Sequence, residues 1–582
     1  MSELNNEAST KSKFSPQNLL FLLLVLQFVI APFYYQPNFG GEGLYLPYNS
    51  SVWIVAVWII ATGAFLISRS RTVVLPRYWL GLACLPLGAL ITGFIVETIN
   101  PTEWLTRLSV ITGGYLFFLA LFQFRLTSKQ IDQSLYIILA FGMIAAAYGV
   151  FQIVFTTNIY PFIPRSPNNI PVGVFQQVNL QASSMATLLV LVYYLISRPT
   201  LNTSLLIKTS LCITVFLASY IIAASGSRVG LLGAILGLTI LIIGRWRLLT
   251  RKKNLFISIL VLTIAGATTQ TSGLLKSTVK FDRAMGGMEA DIRWKVYKIS
   301  WDLFIESPVT GHGLGSFQKV FQEKRRAYQQ QGSLHMGNHP RFSHPHNEII
   351  FWLVEGGIIA MCGIILAATV TFIQLIRVGW QRGSGYAALL IPITLHTQVE
   401  LPFYISNTHW LLLLFLLFVT HQHSKQNLQI TSLSVSANRL IPVSFIGIAF
   451  ATSWTLIQAQ IANSDLVKYY ASKTTQYELL DKPLSSLYFR DHALFLSLRQ
   501  KMIEGIKEKK PEPVVEFINF TENLIQKVPA INYYIELVNA YNIIGQTELR
   551  DRLLKEALDT YEGNRRLSML KQKFQPQKNT NP

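Results

Sequence analysis

Two apolar runs near the beginning of the sequence decide the class of protein. Residues 18–35 read NLLFLLLVLQFVIAPFYY, and residues 51–67 read SVWIVAVWIIATGAFLI. A helix needs roughly 20 mainly apolar residues to cross a bilayer, and both runs approach that length. The first run follows Lys11 and Lys13, as a signal peptide would, but it has no small-residue cleavage site. We therefore expect it to remain as a first membrane span.

The composition indicates that lipid is the solvent for much of the chain. Of 582 residues, 51% are hydrophobic and only 14% are charged, whereas soluble domains carry about 25% charged residues. A net charge of +20 might suggest nucleic acid, but Lys and Arg lie mainly in short connectors between apolar runs, a pattern that orients membrane proteins. We expect no nucleic-acid partner. The three cysteines lie inside apolar segments and form no CxxC motif, so neither a disulfide framework nor a cysteine metal site is expected.

Apolar runs recur along most of the chain. They predict an all-α polytopic membrane protein with about thirteen transmembrane helices, at approximately 18–35, 51–68, 78–95, 109–123, 133–154, 182–197, 205–224, 229–244, 254–266, 347–376, 385–398, 409–421 and 440–459.

Basic residues fall in alternate connectors. One set is rich in Lys and Arg, as in residues 245–253, whereas the short connectors of the other set hold only Arg107, Arg165 and Arg228. Because basic connectors stay on the cytoplasmic side, this asymmetry predicts a cytoplasmic N-terminus and an outer C-terminus. We therefore expect Gly40, Gln330 and Asn542 outside.

Three longer pieces then lie on the outer side: a connector at about 156–181, a loop at 267–346 and a tail. The sequence predicts two domains, a transmembrane domain at 1–460 that includes the loop, and a helical C-terminal domain at 461–582. Apolar positions in the tail repeat at helical spacing, for example Val514, Phe517 and Ile518. They suggest pairs of short helices.

The outer loop ends in a histidine-rich segment directly before an apolar run. It contains His335, His339, His344 and His346, four of the ten histidines in the chain, and is followed by Asn347. Imidazole is a common zinc ligand, so a metal site is one interpretation. A second is that His346, at the membrane boundary, accepts a proton from a hydroxyl group. A third is an interfacial or helix-capping histidine.

Several other polar residues lie at predicted helix ends. Arg228 stands on the side where positive charge is disfavoured, and Arg293 lies in an aromatic segment; either guanidinium suits a phosphate, or it is an ordinary interfacial charge. Gln177 and Asn179 precede a span, where amides can donate to sugar or phosphate oxygens or merely mark its boundary. His396 and Glu400 share a helical face at another boundary.

With these residues in place, the chain resembles the O-antigen ligase superfamily, and within it the bacterial protein O-oligosaccharyltransferases, or pilin glycosylation ligases. The resemblance covers roughly residues 172–410. It depends on Phe175-Gln-Gln-Val-Asn179-Leu-Gln-Ala182, on His346-Asn347 followed by Glu355-Gly356-Gly357, and on Ser225-Gly-Ser-Arg228 and Arg293-Trp before that histidine.

The resemblance implies a GT-C-like fold and an undecaprenyl-diphosphate glycan donor, with no nucleotide, metal or other cofactor. It makes Arg228 and Arg293 ligands of the diphosphate and His346 the catalytic base. The substrate-binding residues that we expect are Gln177, Asn179, Asn347, Glu400 and Tyr404, the last from its context in Glu400-Leu-Pro-Phe-Tyr404.

The favoured function is transfer of an oligosaccharide to a Ser or Thr hydroxyl of a pilin or another secreted protein. An enzyme of this kind would be a multi-pass protein of the bacterial inner membrane, in contact with membrane lipid, with its active site facing the periplasm. The alternatives are a ligase that uses lipid A-core, an O-antigen polymerase and, in another class, a transporter of lipid-linked glycans.

Overall fold

A computed structural model describes residues 15–155, 162–166, 169–201, 204–270, 273, 292–339, 341–422, 428–473 and 476–574, excluding the side chains of 435–438. Its architecture is helical throughout the membrane region. The elements up to the outer loop are α1 (Pro16–Val25), α2 (Pro47–Ser70), β1 (Thr72–Pro76), α3 (Trp79–Ile95), α4 (Pro101–Gln123), α5 (Ser128–Val154), α6 (Val178–Ile196), α7 (Leu205–Ser225), α8 (Arg228–Leu249) and α9 (Lys253–Thr268).

The second half contains the loop helices, further long helices and the tail. Its elements are α10 (Ile292–Glu306), α11 (Phe317–Gln330), α12 (Glu348–Arg377), α13 (Trp380–His396), α14 (Pro402–Ile405), α15 (Asn407–His421), β2 (Leu428–Ser432), α16 (Val435–Ala471), α17 (Asp481–Ser485), α18 (Arg490–Lys507), α19 (Glu512–Lys527), α20 (Ile531–Ile543), α21 (Thr547–Thr560) and α22 (Arg565–Phe574).

The all-α polytopic class predicted from the sequence is confirmed. Within the described ranges, nine helical stretches are long and apolar enough to cross a membrane, and one of them, Arg228–Thr268, contains both α8 and α9. Two shorter apolar helices, α3 and α15, coincide with further predicted spans. Each of the thirteen predicted segments thus overlaps a helix, while the number that actually crosses the bilayer stays a prediction.

Helix α6 lies at the centre of the membrane region. Every residue from Leu180 to Ile196 is buried, and the helix packs against α5, α7, α8 and α13. A helix that is apolar on all sides is stable only when other helices or lipid surround it completely. The N-terminus of α6 is therefore fixed relative to the N-terminus of α8 and the C-terminus of α13, where the polar candidates lie.

Helix α12 is interrupted at Gly357, whose φ of 58° and ψ of −159° are not helical. At this interruption, backbone groups of the loop between α10 and α11 form hydrogen bonds with backbone groups of α12. The N–H of His312 donates to the carbonyl of Val354 at 2.8 Å, and the N–H of Ile358 donates to the carbonyl of Pro308 at 2.9 Å. The glycines of the Glu355-Gly356-Gly357 motif therefore let the loop cross the helix at backbone distance.

The tail is helical, as its apolar spacing predicted, and forms a separate hydrophobic cluster with the C-terminal end of α16. Helix α16 runs from Val435 to Ala471 and so passes through residue 460. The division into domains at 460 remains a prediction. Strands β1 and β2, which the sequence did not indicate, pair antiparallel with Thr72 opposite Ser432.

We predict that Gly357→Ala strongly destabilises the protein. A Cβ at this position would overlap the carbonyl oxygen of Val309, and its φ and ψ are essentially restricted to glycine, so a cost above about 2 kcal/mol is expected. Gly447→Ala on α16 is the control, because a Cβ there meets nothing within 4 Å. The thermal midpoint of detergent-solubilised protein measures the difference, and equal midpoints would contradict this account of the interruption.

Candidate active site

The N-terminus of α12 is tied to the turn that follows α13. The side-chain oxygen of Asn347 caps α12 by accepting from the N–H of Ile350 at 3.0 Å, and its amide nitrogen donates to the carbonyl of Gln398 at 2.9 Å. The N–H of Glu348 donates to the carbonyl of Thr397 at 2.9 Å. These bonds place residue 346 opposite residue 400. Asn347, predicted to bind substrate, thus has a structural role in this arrangement.

His346 and Glu400 form a hydrogen-bonded pair. His346 Nδ1 lies 2.5 Å from Glu400 Oε1, and the two side chains are 29% and 9% exposed. A carboxylate can only accept, so the proton of the neutral ring resides on Nδ1. Nε2 is left as the proton acceptor. This is the arrangement in which a carboxylate orients a histidine that acts as a general base.

Burial raises the pKa of the Glu400 carboxyl, but the hydrogen bond from His346, together with the charge that this ring has once it is protonated, outweighs burial and holds that pKa below its ordinary value. Glu400 is therefore ionised at neutral pH. The interaction that favours its ionised form is lost only as the pH falls through the lowered pKa. A negative partner is then present to stabilise His346 after it has taken up a proton.

His344 supports the same pair from the other side. Its ring centroid lies 4.4 Å from that of His346, and its Nδ1 accepts from the backbone N–H of His346 at 3.2 Å. Burial, and then the charge that His346 has once it is protonated, lower the pKa of His344 to about 4, so this ring is neutral at neutral pH. The φ of His346 is 58°, a value uncommon for a residue other than glycine and often found at functional sites.

Tyr404 joins the site through aromatic and cationic neighbours. Its ring contacts Phe351 edge-on at 5.3 Å, and the guanidinium of Arg107 lies 5.2 Å from its centroid. Arg107 is buried and forms ion pairs with Glu103 at 3.3 Å and with Glu355. Neither Arg107 nor the pairing of Glu355 was assigned to the site from the sequence. The one available signal was a basic residue on the side where basic residues are disfavoured.

Gln177, Asn179 and Arg228 lie together at the N-termini of α6 and α8. Gln177 caps α6, its side-chain oxygen accepting from the N–H of Leu180 at 2.7 Å. Asn179 Oδ1 accepts from the hydroxyl of Ser227 at 2.8 Å. Ser227 caps α8, and half-buried Arg228 is the first residue of that helix. An anion near Arg228 would therefore also meet the positive end of the α8 dipole.

Arg293 lies half-buried in the first turn of α10. This helix buries Val296, Ile299 and Leu303 in a cluster with Leu401, which follows Glu400, and with Phe351, which lies five residues after His346. The packing brings the helix that carries Arg293 to the region of the site. A direct role for the guanidinium remains a prediction.

A cavity of about 1460 Å³ adjoins the site. Its polar end is formed by Glu42, Glu103, Arg107, His344, Glu348 and Tyr404, and the remainder is lined mainly by apolar side chains of α2, α4, α12, α15 and α16. Its polar and apolar lining suits a molecule with a polar head and a long apolar chain.

Of the residues considered as metal ligands, the structure leaves a group of three. In the part of the chain that the structure describes, His344, His346 and Glu400 are the one group whose ligand atoms lie close enough for an ion, all within 4.8 Å. His335 instead contacts Gln329 and Glu562. At 2.5 Å, His346 Nδ1 and Glu400 Oε1 bond to each other, which favours a proton-transfer pair over a pair of metal ligands.

The fold is that of a multi-pass membrane protein, because many of its helices are long and apolar enough to span a membrane. The histidine–carboxylate pair at the helix ends gives it a site suited to proton transfer. Comparison with protein families gives the class of enzyme. Residues 213–380 match the family described as O-antigen ligase, and residues 386–573 match the one described as virulence factor membrane-bound polymerase, C-terminal. No curated protein matches the chain. The chain belongs to the O-antigen ligase superfamily and is a membrane enzyme of the ligase or polymerase type, whose general reaction is glycosyl transfer.

We predict that Glu400→Gln and His346→Gln each lower kcat for glycosyl transfer by about 10²- to 10⁴-fold, the usual contribution of a general base. Gln at 400 can still accept from Nδ1, but it has no charge to stabilise a protonated ring. Asp465→Asn, which removes a carboxylate from the ion pair with Lys468, is the control and should leave kcat unchanged.

The rates are measured with purified protein, with and without chelator. If chelator abolishes transfer by the wild type and zinc restores it, the site is a metal centre and His346 does not act as a general base.

Proposed function

We propose that the protein transfers an oligosaccharide from an undecaprenyl-diphosphate carrier to a Ser or Thr hydroxyl of a pilin or another periplasmic protein. The observation that carries the proposal is the 2.5 Å bond between His346 Nδ1 and ionised Glu400. It supplies an oriented base beside a cavity suited to a lipid. Glycosyl transfer to a hydroxyl needs such a base.

The reaction is a single displacement at the anomeric carbon of the donor. His346 Nε2 takes the proton of the acceptor hydroxyl while its oxygen forms the new glycosidic bond. The bond between the anomeric carbon and the phosphate oxygen breaks, and its electron pair leaves with the carrier diphosphate. Glu400 stabilises the protonated imidazole until the proton passes to solvent or to the departing diphosphate.

The diphosphate requires positive charge at its own end of the site. Arg228, at the N-terminus of α8, and Arg293, on α10, are the residues proposed for that role. A planar guanidinium binds two phosphate oxygens at once. Preorganised charge of this kind is usually a larger contribution to catalysis than the base.

Enzymes of this class share the donor and differ in the acceptor whose hydroxyl group receives the glycan. A protein hydroxyl is favoured by the segment Phe175 to Ala182, which is similar to that of the protein-glycosylating branch. The side-chain oxygens of Gln177 and Asn179 accept from Leu180 and Ser227, and among the described residues no hydrogen bond involves their side-chain amide nitrogens. The match of residues 386–573 to a polymerase family supports a second candidate, an O-antigen polymerase. Its acceptor hydroxyl would belong to another lipid-linked glycan. A lipid A-core ligase would use the same base.

The placement of the charges argues for an enzyme over a transporter of lipid-linked glycans. Transporters bind their substrates near the middle of the bilayer, often between broken helices. Here His346, Arg228 and Asn179 lie at helix N-termini. With the basic connectors inside, these ends face the periplasm of the bacterial inner membrane.

The experiment is intact-mass analysis of pilins and secreted proteins from cells with the wild-type gene, without it, and with His346→Gln. We expect an oligosaccharide mass on at least one Ser- or Thr-containing protein only with the wild type. Unmodified proteins together with shortened surface polysaccharide chains would assign the polymerase function instead. A loss of polysaccharide from lipid A-core would assign the ligase function.

Arg228→Lys and Arg293→Lys should reduce transfer by about 10-fold or more at limiting donor concentration while membrane insertion stays normal. Lysine keeps the charge but cannot form two parallel bonds. Arg165→Lys, at an exposed residue of the outer connector, is the matched control. Transfer at the wild-type rate by both variants would refute the diphosphate assignment.

A further inference from the structure

Helix α11 meets the tail through a buried arginine. Arg325 is 2% exposed, and its guanidinium donates to the backbone carbonyls of Gly337 at 3.2 Å and His339 at 3.1 Å. It also lies 5.3 Å from the ring centroid of Tyr561. Burial lowers the pKa of Arg325 to about 10, so the group is charged at neutral pH. One side chain thus joins the histidine-rich segment to the tail.

Three consecutive residues of the tail lie at this junction: Tyr561 under Arg325 of α11, and Glu562 and Gly563 against the histidine-rich segment itself. Tyr561 is 1% exposed, and its hydroxyl donates to the carbonyl of Pro529, which fixes the ring within the tail. Glu562 lies 3.3 Å from His335 Nδ1. A Cβ built on Gly563 would lie 3.5 Å from that of Asn338.

The contact extends from this segment towards the base. Phe342 packs against Phe321 of α11 with a centroid distance of 5.6 Å and lies 6.5 Å from the ring of His346. Arg325 and Phe321 lie one turn apart on α11, so they hold the beginning and the end of the segment from one helix face. The backbone of residues 337–339 is therefore held against α11 and the tail, and Phe342 is held against α11.

We propose that Arg325 and Tyr561 are positioning residues through which the tail holds the histidine-rich segment and keeps His346 against Glu400. The proposal rests on the proposed role of His346 as the base. It gives the C-terminal tail a role in the transfer reaction, that of keeping the base in position. The charged hydrogen bonds of Arg325 and its position over an aromatic ring are interactions that strengthen when buried.

The first test compares two adjacent arginines in the full-length purified protein. Arg325→Lys keeps the charge, but its side chain ends one atom short of Nη2, which donates to both carbonyls, and it has no planar group to lie over Tyr561. We therefore expect kcat to fall by about 10- to 100-fold, the effect of a small displacement of a catalytic group. The KM for donor should stay unchanged. Arg326→Lys is the control, because Arg326 contacts the tail through a partly exposed ion pair with Glu556 and does not touch the histidine-rich segment through that pair. This variant should leave kcat unchanged. Equal kcat values for Arg325→Lys and the wild type would overturn the proposal.

The second test separates positioning from folding. Asn338→Cys and Gly563→Cys place two Cβ atoms at a separation close to the lower limit of about 3.5–4.5 Å for a disulfide. The φ of 73° at Gly563 is strained for a cysteine, so the Gly563→Cys single variant is included as the control for that strain. The native cysteines lie in α3, α7 and α12, away from this pair. In an Arg325→Ala background, oxidation should restore kcat and reduction should abolish the gain. A complete disulfide without any gain in kcat would overturn the proposal.

The outcome for the wild type distinguishes the two proposals. Absence of transfer by the wild-type protein to protein and glycan acceptors would refute the proposed function. The contact between the tail and the histidine-rich segment can be measured without any transfer reaction, because the 338–563 disulfide should form in folded protein and protect residues 331–339 from protease. Failure of the disulfide to form in folded protein would refute the contact between tail and segment.

Discussion

Glu355 holds together three parts of the chain that are distant in sequence. It is 1% exposed and accepts from the backbone N–H groups of Gly315 and Phe317 at 3.1 and 2.9 Å, while it pairs with Arg107 of α4. Removing one partner of a buried ion pair typically costs about 3–5 kcal/mol, because the other charge is left in an apolar interior. The position of α11, the interruption of α12 and the stacking of Arg107 on Tyr404 all depend on this carboxylate.

A carboxylate that takes no part in the reaction therefore fixes the positions of the elements that carry the site. Glu355 fixes the backbone at the start of α11, and α11 in turn holds the segment that leads to His346. From the other direction, Asn347 and Glu348 bind the turn that carries Glu400. His346 is thus held from two sides. A base with an unusual backbone conformation needs such support to remain in place.

The sequence predicted the helices well because the bilayer imposes a strict length and composition on them. It also indicated His346 and Glu400 as functional candidates. It did not indicate that they pair, since Glu400 had a nearer apparent partner in His396 at helical spacing, and contacts across 54 residues leave no local pattern. Arg107 could not be assigned because its partner Glu355 lies on another helix. The β1–β2 pairing was missed for the same reason. The roles of Arg228, Arg293, Gln177, Asn179 and Tyr404 stay predictions.

The pairing of β1 with β2 and the packing of α16 against α2 constrain how the protein is assembled during synthesis. Strand β1 and helix α2 emerge from the ribosome early, whereas their partners follow several hundred residues later. At about 5–20 residues per second, they wait tens of seconds before the bundle can close. During that time α2 is covered on one side by lipid or by the insertion machinery. Synthesis of the last long apolar helix is therefore the event that completes the membrane region, and the tail can dock on the outer loop only after it.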